Sequence, residues 1–269
     1  MFNFYHKLLV RQLRHSTMRL FCVAVAIACA VTLSITLLGD RLEQLFNMQA
    51  KEVLAADMVL QSSTELSDRQ KSIIQSFSIN DAKTLTFQTM ASTDSDAFLL
   101  SSVKAVTDNY PLIGELQISN ELYGELQTTK EIPNVGEAWV EDLVLNQLDL
   151  SINQLITVGE KSVQVTRVLI YEPDRVNRFY SFTPRILMNW QDVAATQVVK
   201  PGSRVKFRHL FAGDQGEINK LETQLSATLR LNQKFVTVDA ANQTLSATLE
   251  RAYRFLNITV LIAVLLGAV

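Results

Sequence analysis

Three histidines, two cysteines and 27 carboxylates are the groups in this 269-residue chain that could make or break bonds, and their spacing does not bring them together. His6, His15 and His209 are scattered, and two of them sit in a basic N-terminal stretch. A nucleophile activated by histidine, or a tetrahedral metal site, needs groups that converge. The chain also lacks the Gly-rich loop that cradles phosphates. Cys22 and Cys29 are seven residues apart, on one face of a helix but inside an apolar run, not in a ligand motif. These patterns predict no catalysis, bound cofactor or metal in this segment. Recognition has a better candidate in Asp174-Arg175-Val176-Asn177-Arg178-Phe179-Tyr180-Ser181-Phe182. There Arg175, Arg178, Phe179, Tyr180 and Phe182 combine the residue types enriched at the centres of binding surfaces. The alternative is that the aromatics fill a local core and the arginines are solvated.

The elements that must carry such a surface start with a membrane anchor. Leu20 to Gly39 are twenty residues without a charge, and Lys7, Arg11, Arg14 and Arg19 precede them with no carboxylate among them. Twenty helical residues span about 30 Å, a bilayer's hydrocarbon core, and the side richer in Lys and Arg stays in the cytoplasm. Residues 1–19 are therefore expected in the cytoplasm, with Tyr5, Leu8, Leu9 and Leu13 facing the inner leaflet if this segment lies flat on it; an ordinary basic flank is the alternative. The total of 25 Lys and Arg leaves 21 cations against the 27 acidic residues beyond Gly39, so the outer part is weakly acidic and gives no reason to expect nucleic acid. Ala26-Ile27-Ala28-Cys29 resembles a lipoprotein cleavage site, but the apolar run continues well past it, which argues against lipidation. A second uncharged run, 255–269, is expected to be a second span cut short, making the chain the N-terminal part of a larger membrane protein.

Between the runs lie about 215 residues, enough for one large or two small cored domains. No Gly or Pro occurs from Asp40 to Tyr110, and Leu42, Leu45, Phe46 and Val53 keep helical spacing, predicting a stalk helix over 40–56. From 57 to 103 the pattern predicts a β-α-β-β unit, with Ser67-Asp68-Arg69-Gln70 as the capping box of its helix. Turn residues from Pro111 to Gly202 predict a β-rich subdomain inserted over 104–200, with a short helix at Glu141 to Leu148 and strands at Gln154 to Val158 and Ser162 to Ile170. A second β-α-β unit is expected over 201–238, followed by a return stalk over 239–254. The predicted class is thus a membrane protein of α+β type, an outer α/β domain of two β-α-β units split by an insertion between two helical spans.

The segments Leu54-Ala55-Ala56-Asp57-Met58-Val59-Leu60, Val103-Lys104-Ala105-Val106, Gly136-Glu137-Ala138-Trp139-Val140, Glu172-Pro173-Asp174-Arg175, Pro201-Gly202-Ser203-Arg204-Val205 and Arg251-Ala252-Tyr253-Arg254-Phe255-Leu256 reach over nearly the whole chain. With the order of parts above, they resemble the FtsX/MacB-type permeases of bacterial ABC transporters, and most closely their YbbP-like branch. The resemblance implies a MacB-like periplasmic core and an inner-membrane permease subunit. That subunit would touch membrane lipid, pair with a cytoplasmic ABC ATPase that holds the ATP and Mg, and export or extract a hydrophobic or lipid-like substrate, in some members beside a periplasmic esterase. The same layout also fits an FtsX-like signalling subunit that activates a periplasmic enzyme, or a two-span sensor with a cytoplasmic output domain.

Overall fold

A computed structural model of the chain describes residues 51–93, 97–175, 183–200 and 202–237, with single helical positions at Ala26, Ala30, Leu33, Ser34, Leu37, Arg41, Arg254 and Ile258. The basic flank, most of both apolar runs and both stalks, and Arg178 to Phe182 lie outside the described residues. Among the described residues no helix is long and apolar enough to cross a membrane. All the strands and helices below fall within one compact unit, Gln49–Ala240.

In chain order the elements are β1 (Met58–Ser62), α1 (Asp68–Gln75), β2 (Asn80–Ser92), β3 (Phe98–Val106), β4 (Leu116–Ser119), β5 (Gln127–Thr129), β6 (Glu137–Val140), α2 (Asp142–Leu148), β7 (Leu155–Val158) and β8 (Lys161–Tyr171). They continue with β9 (Arg185–Asn189), a 3₁₀ turn at Trp190–Asp192, α3 (Val193–Thr196), β10 (Val205–Ala212), α4 (Gln215–Ser226) and β11 (Gln233–Thr237). One eleven-stranded sheet runs in the order β11-β1-β10-β2-β3-β9-β6-β8-β4-β5, with β7 paired to β2 and β8. Because β10 is antiparallel to both β1 and β2, those two are parallel to each other and α1 crosses between them. Likewise β10 and β11 both run against β1, joined by α4. The two β-α-β units therefore interleave as a split, ferredoxin-like core, β11-β1-β10-β2.

Local chemistry sets the helix ends. Ser67 accepts a hydrogen bond from the Gln70 amide at 3.4 Å while its own amide donates to the Gln70 side chain at 3.1 Å, a complete capping box. Asp214 caps α4 by accepting from the Gly216 amide at 2.9 Å. Ile218, Leu221 and Leu225, at i, i+3 and i+7, then bury against Met58, Leu60 and Phe211. A buried pair of amides ties α1 to the outermost strand, Gln70 Nε2 donating to Gln233 Oε1 at 2.8 Å.

The inserted residues do not form a sheet of their own. β9 pairs in parallel with β3, and β6, β8, β4 and β5 follow outward, so the interval expected to stand as a separate subdomain extends the core sheet. The physical reason is β3: with Val103, Ala105 and Val106 all fully buried, it is an interior strand whose second edge must be paired. Helix α2 closes this half by packing Val144, Leu145 and Leu148 onto the cluster that holds Val103, Ala105, Ile186 and Met188.

Candidate functional site

Side chains alternate across a strand, so cross-strand partners share a face. The registers Gln61 to Arg208, Arg208 to Thr84, Thr86 to Lys104 and Ser102 to Arg185 place these residues on one face, across β1, β10, β2, β3 and β9. One end of that face is apolar, with Val59, Ala82, Val106, Leu187, its register partner Trp139 and Leu210 clustered with Tyr110 and Leu116. The other end is charged, and the chain leaving β8 crosses it with Glu172, Pro173, Asp174 and Arg175.

Lys104 is the centre of this charged patch, with its side chain 3% exposed. Its ammonium sits 2.5 Å from Asp174 Oδ1 and donates to the Tyr110 hydroxyl at 2.8 Å and to Glu172 Oε1. It also lies 4.2 Å from the centre of the Tyr110 ring, within cation-π range. Arg208 pairs with the second oxygen of Asp174, and Arg185 Nε stands 3.1 Å from Glu172 Oε2. Arg175 pairs with Glu141, the N-cap of α2, whose other oxygen accepts from the Arg185 amide at 2.9 Å. A charge taken out of water costs several kcal/mol unless it is paired and hydrogen-bonded. Here each buried carboxylate has a cation.

The same geometry sets protonation. Burial by itself would raise the Asp174 carboxyl, but the Lys104 ammonium and the Arg208 guanidinium more than reverse it and hold it well below the usual carboxylate range. Burial, with the charges of Asp174 and Glu172, pushes the Tyr110 hydroxyl well above its ordinary value. Tyr110 thus remains neutral and donates a hydrogen bond to Asp174 Oδ1 at 2.5 Å.

A cavity of about 340 Å³ opens over this patch, its walls including Lys104, Asp174, Arg185, Lys206 and Arg208. A second, of about 320 Å³, lies at Leu66, Ile74, Phe77, Lys71, Lys83 and His209. His209 follows Arg208 on β10 and so points to the opposite face, where its register partner is Lys83. Burial, then the charges of Lys83 and Lys71, lowers its pKa to about 4. Among the described residues no group of three or more His, Cys, Asp or Glu side chains could hold a metal ion.

Of the recognition surface read from the sequence, only Arg175 is described, and its side chain is buried, with the guanidinium paired to Glu141. Its neighbours Glu172 and Asp174 prove to be interior counter-ions. Lys104, Tyr110, Arg185 and Arg208 were not recognised in the sequence as members of a site. The available signal was Lys104 itself, a charge in the middle of the apolar strand Val103 to Val106.

Fold and site together define a class, an α+β domain with a split β-α-β core and a cation-walled cavity on one sheet face. The relationship within that class comes from sequence. The chain is 30% identical over 259 residues, 96% of its length, to a protein of Escherichia coli K12 described as the uncharacterized ABC transporter permease YbbP. It is thus similar along nearly its whole length to part of an ABC transporter permease, and it spans 31% of the length of that relative. No family model matches the chain. Among solved structures, the periplasmic region of MacB from Actinobacillus actinomycetemcomitans aligns with 73% of this chain and 95% of its own, at 10% identity and a TM-score of 0.48. The extracellular domain of the noncanonic ABC-type transporter YknZ from Gram-positive bacteria aligns with 67% of this chain and all of its own, at 8% identity and a TM-score of 0.42. These are distant likenesses, and the relationship rests on the sequence similarity.

Proposed function

We propose that this chain is the N-terminal part of a non-catalytic permease subunit in a bacterial inner membrane. In this reading residues 1–19 are cytoplasmic, 20–39 form the first span, and 40–254 are periplasmic. A separate cytoplasmic ATPase binds ATP and Mg, and its hydrolysis cycle moves the periplasmic domain to export or extract a hydrophobic or lipid-like substrate. The observation that carries the reading is the similarity to an ABC transporter permease along 96% of the chain. The charge asymmetry, four cations before the first apolar run and an acidic excess after it, supports the orientation.

Stiff stalks are the physical requirement for such coupling. In this reading 239–254 is a return stalk helix, so a Gly-Pro pair in place of Thr248-Leu249 of the full-length protein would remove helical hydrogen bonding and cost about 3 kcal/mol or more locally. The expected variant reaches the membrane and binds its ATPase, yet loses ATP-dependent function. Retained full activity would mean that the return stalk is a passive tether. The orientation is tested separately, with a reporter fused after Leu60 that is active only when exported.

A further inference from the structure

The carboxylates of the charged patch do not use up its cations. Among the described residues, the cavity and the ion pairs behind it hold Lys104, Arg175, Arg185, Lys206 and Arg208 against Glu141, Glu172 and Asp174. Lys206 is exposed at the rim and has no ion pair among the described residues. Arg208 reaches Asp174 through Nη1, while Arg185 has Nε 3.1 Å from Glu172 Oε2 as an ion pair without a hydrogen bond and donates through Nη1 to Ser102 at 2.8 Å. The Nη2 group of each has no hydrogen-bond partner among the described residues. Forks held rigid by buried partners, with spare N–H groups on a cavity wall, match the geometry of an oxyanion. The rest of the wall is neutral or apolar, with Gln61 and Thr86 below and Val53, Leu54 and Val236 to the side. At about 340 Å³ the cavity is within the range of small-molecule sites.

We propose that this cavity binds a small amphiphilic anion, a carboxylate or phosphate monoester held by Arg185, Lys206 and Arg208, with a short apolar group laid on Val53, Leu54 and Val236. Lys104 and Asp174 form the floor: Asp174 fixes Arg208 from behind while the outer side of the guanidinium faces the ligand. The site is independent of the transport reading, since it would bind an anion whether or not anything crosses a membrane.

The test is a calorimetric titration of the complete 269-residue chain in detergent with hexyl phosphate, hexanoate and neutral hexanol. Hexyl phosphate or hexanoate should bind saturably at one site, at least tenfold more tightly than hexanol, and the tighter of the two identifies the head group. Arg208 is too deeply engaged with Asp174 to be a clean probe, so the diagnostic variant is Lys206→Gln. It should weaken the anion at least fivefold with the melting temperature unchanged, whereas Lys206→Arg should retain the affinity. The proposal is overturned if neither anion saturates, if hexanol binds as well as the anions, or if Lys206→Gln leaves the anion affinity intact.

Discussion

Arg208 and His209 are neighbours in sequence, yet they live in opposite electrical worlds. Arg208 points to the face where Asp174, Glu172 and Glu141 are buried, and it pairs with Asp174 there. His209 points to the face beneath α1, among Lys71, Lys83, Asp81 and mostly apolar side chains, and burial, then the charges of the two lysines, keeps it neutral. The period of two along a strand is the whole cause of the separation. The contrast teaches that the interior of this sheet does not sort residues by polarity alone. It accepts a charge where counter-charges converge and suppresses one where they do not.

The contrast breaks most violently at Lys104. Lys104→Met leaves Asp174 and Glu172 buried without their shared ammonium, and removing one member of a buried ion pair costs about 3–5 kcal/mol. Denaturant unfolding followed by tryptophan fluorescence measures this loss, because Trp139 and Trp190 both lie in the sheet unit. A cost under about 1 kcal/mol, the range of exposed pairs, would mean the network is solvated.

The opposite face predicts a pH dependence of known sign. The folded-state pKa of His209 is lowered to about 4, so between the unfolded value near 6.5 and 4 the unfolded chain binds the extra proton. Stability should therefore fall as pH drops through that window, by on the order of 3 kcal/mol, and His209→Phe should flatten the slope. Asp174 is shifted down, so its contribution stays intact throughout and is lost only below the ordinary carboxylate range of about 3.9. A slope between pH 6.5 and 4 that survives in His209→Phe would assign the titration elsewhere.

A smaller effect sharpens the difference between charged and neutral polar burial. Gln70 and Gln233 solve on the helix side, with reciprocal amide bonds, the problem that the other face solves with ions. Gln70→Ala removes that pair and half of the capping box, and should cost about 1–3 kcal/mol with no change in pH dependence.

Much of this framework was legible in the sequence because it is local. Ser67 and Gln70 announce the start of α1, Ile218, Leu221 and Leu225 announce the buried stripe of α4, and alternation at Val205 and Phe207 announces β10. What could not be read is non-local. Lys104 meets Glu172 and Asp174 from 68 and 70 positions away, and Arg208 meets Asp174 from 34. No periodicity encodes such a meeting; it follows from the parallel pairing of β3 with β9, which returns the chain across the sheet after six intervening elements. The stretch Asp174 to Phe182 has the residue types of a binding surface. Of its described members, Asp174 matters for the opposite reason, as a buried counter-ion.

Opposite charges on one sheet face attract each other across elements that are far apart in sequence. A double-mutant cycle of Arg208→Met and Asp174→Leu on unfolding stability tests it most directly. The geometry predicts that the double variant is less destabilised than the sum of the singles, with a coupling of about 1.5 kcal/mol or more. Additivity within about 0.5 kcal/mol would show that the two groups do not sense each other, and the account of the site would be contradicted.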